Sequence, residues 1–140
     1  MRNNNPNEIP IKSLEEIKTI ILGILVFFDD LCKKNNLKYS LAYGTMLGAI
    51  RHRGFIPWDD DIDVYMLRSD YDKFVNVMQN ETQFRYKLFS LETDDAYDSV
   101  IPKLVDTNTH LLQERAGSQT DKNGMEKYQL GLYIDIFVLD

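Results

Sequence analysis

Leu14, Ile17, Ile21, Leu25, Phe28 and Leu31/Cys32 recur at helical spacing, and Ser13-Leu14-Glu15-Glu16 ahead of them forms a capping box. The pattern predicts a long helix that begins at Ser13. It closes at Lys33-Lys34-Asn35-Asn36, where cations and asparagine suit a helix C-terminus. From Lys38 to Tyr43 the period drops to two, with Tyr39, Leu41 and Tyr43 on one side, so a strand is expected. Thr45 can then cap a short helix through about Arg53, and Gly54 stops it. A second strand is expected over Asp61 to Met66. Ser69 caps a helix from Asp70 to about Gln79, with Tyr71, Phe74, Val75 and Met78 facing inward. Phe84 to Leu91 and Ser99 to Val105 are further strand candidates, and Thr109 to Gln113 is a candidate hairpin partner. Residues 115–129 are polar and turn-rich, as in a functional or disordered loop. Gly131 to Leu139 reads as a strongly apolar strand with one charge, Asp135, in its middle.

Length and charge narrow this picture. At 140 residues the chain has the size of one domain, expected over 13–140 behind a polar leader of residues 1–12. A net charge of −6 with no dense Lys/Arg stripe argues against nucleic acid as a partner. The single cysteine, Cys32, allows no internal disulfide and reads as a small buried hydrophobe. The opening Met1-Arg2-Asn3-Asn4-Asn5-Pro6-Asn7 is too polar for a signal peptide. The most apolar run, Ile20 to Phe28, reaches about half a bilayer span and is followed by Asp29 and Asp30, so no transmembrane segment is expected. A cytoplasmic setting follows, with room for peripheral attachment at the inner face of the membrane.

The chemistry concentrates in Trp58-Asp59-Asp60-Asp61-Ile62-Asp63-Val64, four carboxylates in five positions before the sequence turns apolar. Such carboxylates raise one another's pKa unless a cation neutralises them. Asp59, Asp61 and Asp63 share parity, so an extended chain would project them to one face, with Asp60 and Ile62 pointing away. Carboxylates at i and i+2 can bridge divalent ions that neutralise a transferring phosphoryl group, and Mg²⁺ suits such oxygen ligands. The competing reading is a solvated acidic turn. Upstream, Gly44-Thr45-Met46-Leu47-Gly48 lies between a strand and a helix. Gly44 would let the backbone approach a phosphate, while Thr45 offers hydroxyl and amide at a helix N-terminus. A plain capped turn would look similar.

Asp135, isolated in an apolar strand, needs a partner. It is either paired with a Lys or Arg, or a third carboxylate that completes the metal site or accepts a nucleophile's proton. Arg51 is the candidate for bidentate phosphate contact, against Arg53 in that role or a solvated helix face. His52 reads as a surface or packing histidine, and Lys103 and Asp106 could reach a substrate. An EF-hand reading of the acidic run fails, because its sixth position is Val64 and its twelfth Asp70. A glycosyltransferase Asp-x-Asp reading fits Asp61-Ile62-Asp63 but does not predict the Gly-Thr turn.

Taken together, the run from Tyr43 to Val64 resembles the signature of the LicD family, phosphocholine transferases related to fukutin within the polymerase-β-like nucleotidyltransferase superfamily. Lys103 to Thr109 and Gly131 to Phe137 resemble the later family blocks. The resemblance implies an α/β (α+β) fold, a mixed sheet flanked by helices, with the site at the sheet's edge. It assigns Asp61, Asp63 and Asp135 as catalytic and metal-binding and Gly44-Thr45 as the substrate-binding turn, to which the reading of the residues themselves adds Arg51 and Lys103 as substrate-binding. It further implies Mg²⁺ or Mn²⁺, CDP-choline or a similar nucleotide-activated donor, and a glycan acceptor in teichoic acid, lipopolysaccharide or capsule. Rival readings are a nucleotidyltransferase acting on a small molecule or protein, and a non-catalytic module that binds metal and nucleotide. Family members usually continue well past the third carboxylate, and this chain stops five residues after Asp135, so a domain truncated at its C-terminus is expected.

Overall fold

The computed structural model describes residues 13–95, 97–109 and 131–140. The capping box forms as expected. The Glu16 N–H donates to Ser13 Oγ at 3.2 Å, and α1 (Leu14–Lys34) buries Ile21, Ile24, Phe28, Leu31 and Cys32 along one stripe. Asn35 closes it, donating from its side chain to the Leu31 carbonyl at 2.8 Å. The chain continues as β1 (Ser40–Leu41), α2 (Tyr43–Arg51), β2 (Asp63–Leu67), α3 (Arg68–Gln79), β3 (Tyr86–Phe89), β4 (Lys103–Asp106) and β5 (Tyr133–Leu139).

The strands form one mixed sheet in the order β1-β2-β5-β4-β3, with β2 and β5 parallel and every other pair antiparallel. An α/β architecture with a long first helix is therefore what the chain adopts. Alternation sorts the two faces. Ile62, Val64, Met66, Leu104, Ile134 and Ile136 are buried in one core with Ile24 and Phe28 of α1 and Tyr71 and Phe74 of α3. Asp63, Tyr65, Tyr133, Asp135 and Phe137, at the alternate positions, are half-buried. Among the described residues no helix is long and apolar enough to cross a membrane.

Several elements differ from the expectation, each for a local reason. The first strand shrinks to two residues because Tyr43 takes φ 48°, which ends the extended backbone. Ala42 therefore occupies the cap position of α2, and Thr45 lies inside the first turn. β2 starts at Asp63 rather than Asp61, since the Asp59 N–H turns back to the Ile56 carbonyl at 2.9 Å. β2 passes into α3 without a loop, so Leu67 takes the cap position and Ser69 falls inside the helix. β4 starts late, because residues before it bend: the Tyr97 hydroxyl donates to the Ile101 carbonyl at 2.5 Å. The candidate hairpin strand beyond Thr109 and the loop 115–129 lie outside the described residues.

Candidate functional site

The site gathers where α2 begins and β2 begins. Pro57 and Trp58 form a turn, so the parity of an extended strand does not apply to the residues that follow. Asp60, expected to point away, instead joins its neighbours: carboxylate oxygens of Asp59, Asp60 and Asp61 all lie within 4.8 Å of one another. Asp59 is half-buried, while Asp60 and Asp61 are exposed. Lys18 of α1 anchors this loop from behind. Its Nζ donates to the Pro57 carbonyl at 2.8 Å and lies 5.7 Å from the centre of the Phe55 ring.

Gly44 explains how the acidic loop approaches the helix. A Cβ at this position would stand 2.8 Å from Asp59 Oδ2, so the missing side chain makes room for that carboxylate beside the first turn of α2. A negative group is favourable at a helix N-terminus. The Thr45 hydroxyl accepts from the Asp63 N–H at 2.9 Å, and the Ala42 N–H donates to the Asp63 carbonyl at 2.9 Å. These bonds fix the start of β2 against the start of α2. Gly48 continues the close approach, since a Cβ there would meet the Gly54 carbonyl at 2.5 Å and the Ile56 nitrogen at 2.9 Å.

Sheet register brings the other candidates to Asp63. Asp135 pairs with it on β5, and Lys103 pairs with Asp135 on β4. The result is a row, Asp63–Asp135–Lys103, across the half-buried face. Lys103 Nζ donates to Asp135 Oδ1 and also lies 4.0 Å from the centre of the Tyr133 ring. The lone strand carboxylate therefore has the basic partner that its surroundings demand. Burial, followed by the charges of Asp61 and Asp135, pushes the Asp63 carboxyl up to about 6, with Lys103 pulling the other way. Asp61 is raised as well: its surface is exposed, but its surroundings on the protein side remove part of its hydration, and the charges of Asp59 and Asp60 add to this. Both shifts come first from lost hydration and then from the crowding of carboxylates, which Lys103 offsets only in part at Asp63.

The remaining candidates separate from this centre. Arg51 is exposed in the last turn of α2, about 10 Å along the helix from Gly44. His52 is exposed just beyond it. Asp106 is 1% exposed and belongs to the framework: it accepts from Arg85 at 3.0 and 3.3 Å and from the Asn108 N–H at 3.0 Å. Sequence reasoning passed over three rings beside the row. Tyr65 and Phe137 follow Asp63 and Asp135 by two residues on the same face, and Tyr43 stands against both, 5.3 and 5.0 Å between ring centres. The i+2 spacing from each aspartate was the available clue.

This geometry can be set beside known proteins. Residues 36–137 match the LicD/FKTN/FKRP nucleotidyltransferase domain. The chain is 40% identical over 129 residues to the lipopolysaccharide cholinephosphotransferase LicD of Haemophilus influenzae, an alignment covering 91% of this chain and 44% of that protein. It is also 41% identical over 59 residues to an uncharacterized protein of Rickettsia typhi, covering 42% of this chain and 19% of the relative. The chain thus spans less than half the length of the curated relatives it matches. The matched segment takes in every carboxylate of the cluster, the Gly44–Thr45 turn and the Asp63–Asp135–Lys103 row, and the chain belongs to the LicD/FKTN/FKRP nucleotidyltransferase-domain family.

Proposed function

We propose that the chain carries the catalytic centre of a phosphotransferase that moves phosphocholine, or a related phospho-alcohol, from a CDP-activated donor to a hydroxyl of a cell-surface glycan. The observation that carries the reading is the convergence of Asp59, Asp60 and Asp61 just ahead of Asp63, which is bonded to the start of α2, in a chain 40% identical to a lipopolysaccharide cholinephosphotransferase.

A divalent cation, Mg²⁺ or Mn²⁺, fits this donor set. Close-set carboxylate oxygens are hard ligands, and the raised Asp61 and Asp63 carboxyls lack a full counter-charge. Asp61 and Asp63 would hold the ion, with Asp135 next to them in register. Bound there, such an ion neutralises charge on the donor's diphosphate. The protein's own groups do the positioning. Gly44 and Thr45 offer phosphate oxygens the positive end of α2. Lys103 holds Asp135 in place, leaving its second oxygen to accept the proton of the attacking hydroxyl. In-line attack then displaces CMP, and the rate comes from placement and charge compensation.

CMP release from CDP-choline, with Mg²⁺ or Mn²⁺ and a glycan acceptor, tests the reading. Metal-dependent release by the wild type should fall at least about a hundredfold in Asp61→Ala/Asp63→Ala. Binding of CDP-choline without release would identify a metal- and nucleotide-binding module. Transfer of CMP itself to an acceptor would identify a nucleotidyltransferase.

A further inference from the structure

We infer that Tyr43, Tyr65 and Phe137 form the subsite for the cationic head of the transferred group, selecting a quaternary ammonium over a primary one. This deepens the proposed function and rests on it. The three rings form one cluster, with 6.1 Å between the centres of Tyr65 and Phe137 and with Tyr43 against both. They sit on the half-buried face of the sheet, and Tyr43 is 56% exposed, so ring surface remains open to solvent.

Their surroundings set them apart from the rings that hold a protein cation. Phe55, Tyr71, Tyr86, Phe89 and Tyr133 each carry a protein cation, from Lys18, Arg68, Arg85, Lys87 and Lys103 respectively. Among the described residues no lysine or arginine lies over Tyr43, Tyr65 or Phe137. A cluster of π-faces beside aspartates, supplied with no internal cation, attracts one from outside. A quaternary ammonium suits it, because methyl groups spread the charge over an apolar surface that contacts rings without losing strong hydrogen bonds to water. A primary ammonium would lose them.

Position supports the same assignment. Tyr65 lies two residues, about 6.6 Å, along β2 from Asp63, and Phe137 stands in the same relation to Asp135. A phosphate held near the carboxylates would thus place a short alcohol chain along the strands, with its ammonium over the rings. Tyr43 also adopts φ 48°, a left-handed conformation rare for an aromatic residue, and it holds its ring over this face at the start of α2. Such strain concentrates at binding sites.

Calorimetric titration of the full chain with Mg²⁺ separates the possibilities, using phosphocholine, phosphoethanolamine, tetramethylammonium and CMP as probes. Phosphocholine should bind about tenfold more tightly than phosphoethanolamine. Tyr65→Leu and Phe137→Leu should remove that preference, Tyr65→Phe should retain it, and CMP affinity should stay within twofold throughout. Equal affinity for the two phospho-alcohols in a protein that binds CMP overturns the inference and leaves the transferase reading standing. Loss of CMP affinity in the leucine variants also overturns it and makes the rings a base-stacking platform. Tetramethylammonium binding abolished by Tyr65→Leu, in a protein that ignores CMP, supports the subsite and sinks the transferase reading. Circular dichroism confirms that each variant is folded.

Discussion

Asp63 shows how a site residue can act against the fold that carries it. Its carboxyl stands at about 6 instead of 3.8, chiefly through burial and then through Asp61 and Asp135. The folded state therefore holds this proton more tightly than the unfolded chain does. Stability falls as pH rises from about 4 to about 6 and stays low above that range. Asparagine has no proton to lose, so Asp63→Asn should be more stable than wild type at pH 7 and equal to it near pH 4. Partial exposure to water reduces the effect to about 1 kcal/mol, or about 3 °C in Tm. Thermal unfolding of the metal-free protein from pH 4 to pH 8 reads this directly, and parallel curves for the two proteins would refute it. The same substitution should abolish transfer, so stability and activity move in opposite directions.

At the scale of elements, short-range chemistry was legible and close approaches were not. The Ser13 cap, the α1 stripe and the inward Tyr71, Phe74 and Val75 of α3 followed from spacing alone. The acidic run was equally plain, yet its geometry was not. A turn bond from Asp59 to Ile56 cancels the strand parity and brings Asp60 into the cluster. Thr45 reads as a cap because its type suits one, but its hydroxyl serves the Asp63 amide, 18 residues away. The glycines divide by a similar distinction. Gly48 faces backbone, the Gly54 carbonyl and the Ile56 nitrogen, whereas Gly44 faces side-chain ends alone, Asp59 Oδ2 closely and Ile56 Cδ1 at ordinary contact distance, and Gly54 faces open space. Gly48→Ala should therefore cost about 2–3 kcal/mol. Gly54→Ala should be nearly neutral, and Gly44→Ala should fold while displacing Asp59. Denaturant unfolding of the three variants ranks them, and a Gly48→Ala protein as stable as Gly54→Ala would show that the 52–58 loop is not packed on α2 as described.

Across the whole molecule, the centre is assembled from two distant parts of the chain, residues 43–63 on one side and Lys103 with Asp135 on the other, which only the sheet order brings together. No local pattern in the sequence announces that β5 inserts between β2 and β4, and that insertion is what sets Asp135 between Asp63 and Lys103. Lys103 is then the resident counter-charge of the row, pairing with Asp135 and opposing the rise at Asp63. Lys103→Met keeps an unbranched chain against Tyr133 but leaves Asp135 unpaired beside Asp63. The metal-free variant should lose about 2 kcal/mol at pH 8. With Lys103 gone, the Asp63 carboxyl rises further, so the folded state keeps its proton to higher pH and stability falls over a wider range. The deficit should therefore shrink toward pH 5, where protonated Asp63 no longer repels Asp135. A divalent ion bound at the proposed site would supply the missing charge, so saturating Mg²⁺ or Mn²⁺ should stabilise Lys103→Met more than wild type. Thermal unfolding at pH 5 and pH 8, with and without the ion, gives the four differences needed. A deficit that is constant across all four conditions would mean that Lys103 only packs against Tyr133. A deficit that disappears at low pH or with metal would mean that lysine and cation serve the same row of carboxylates.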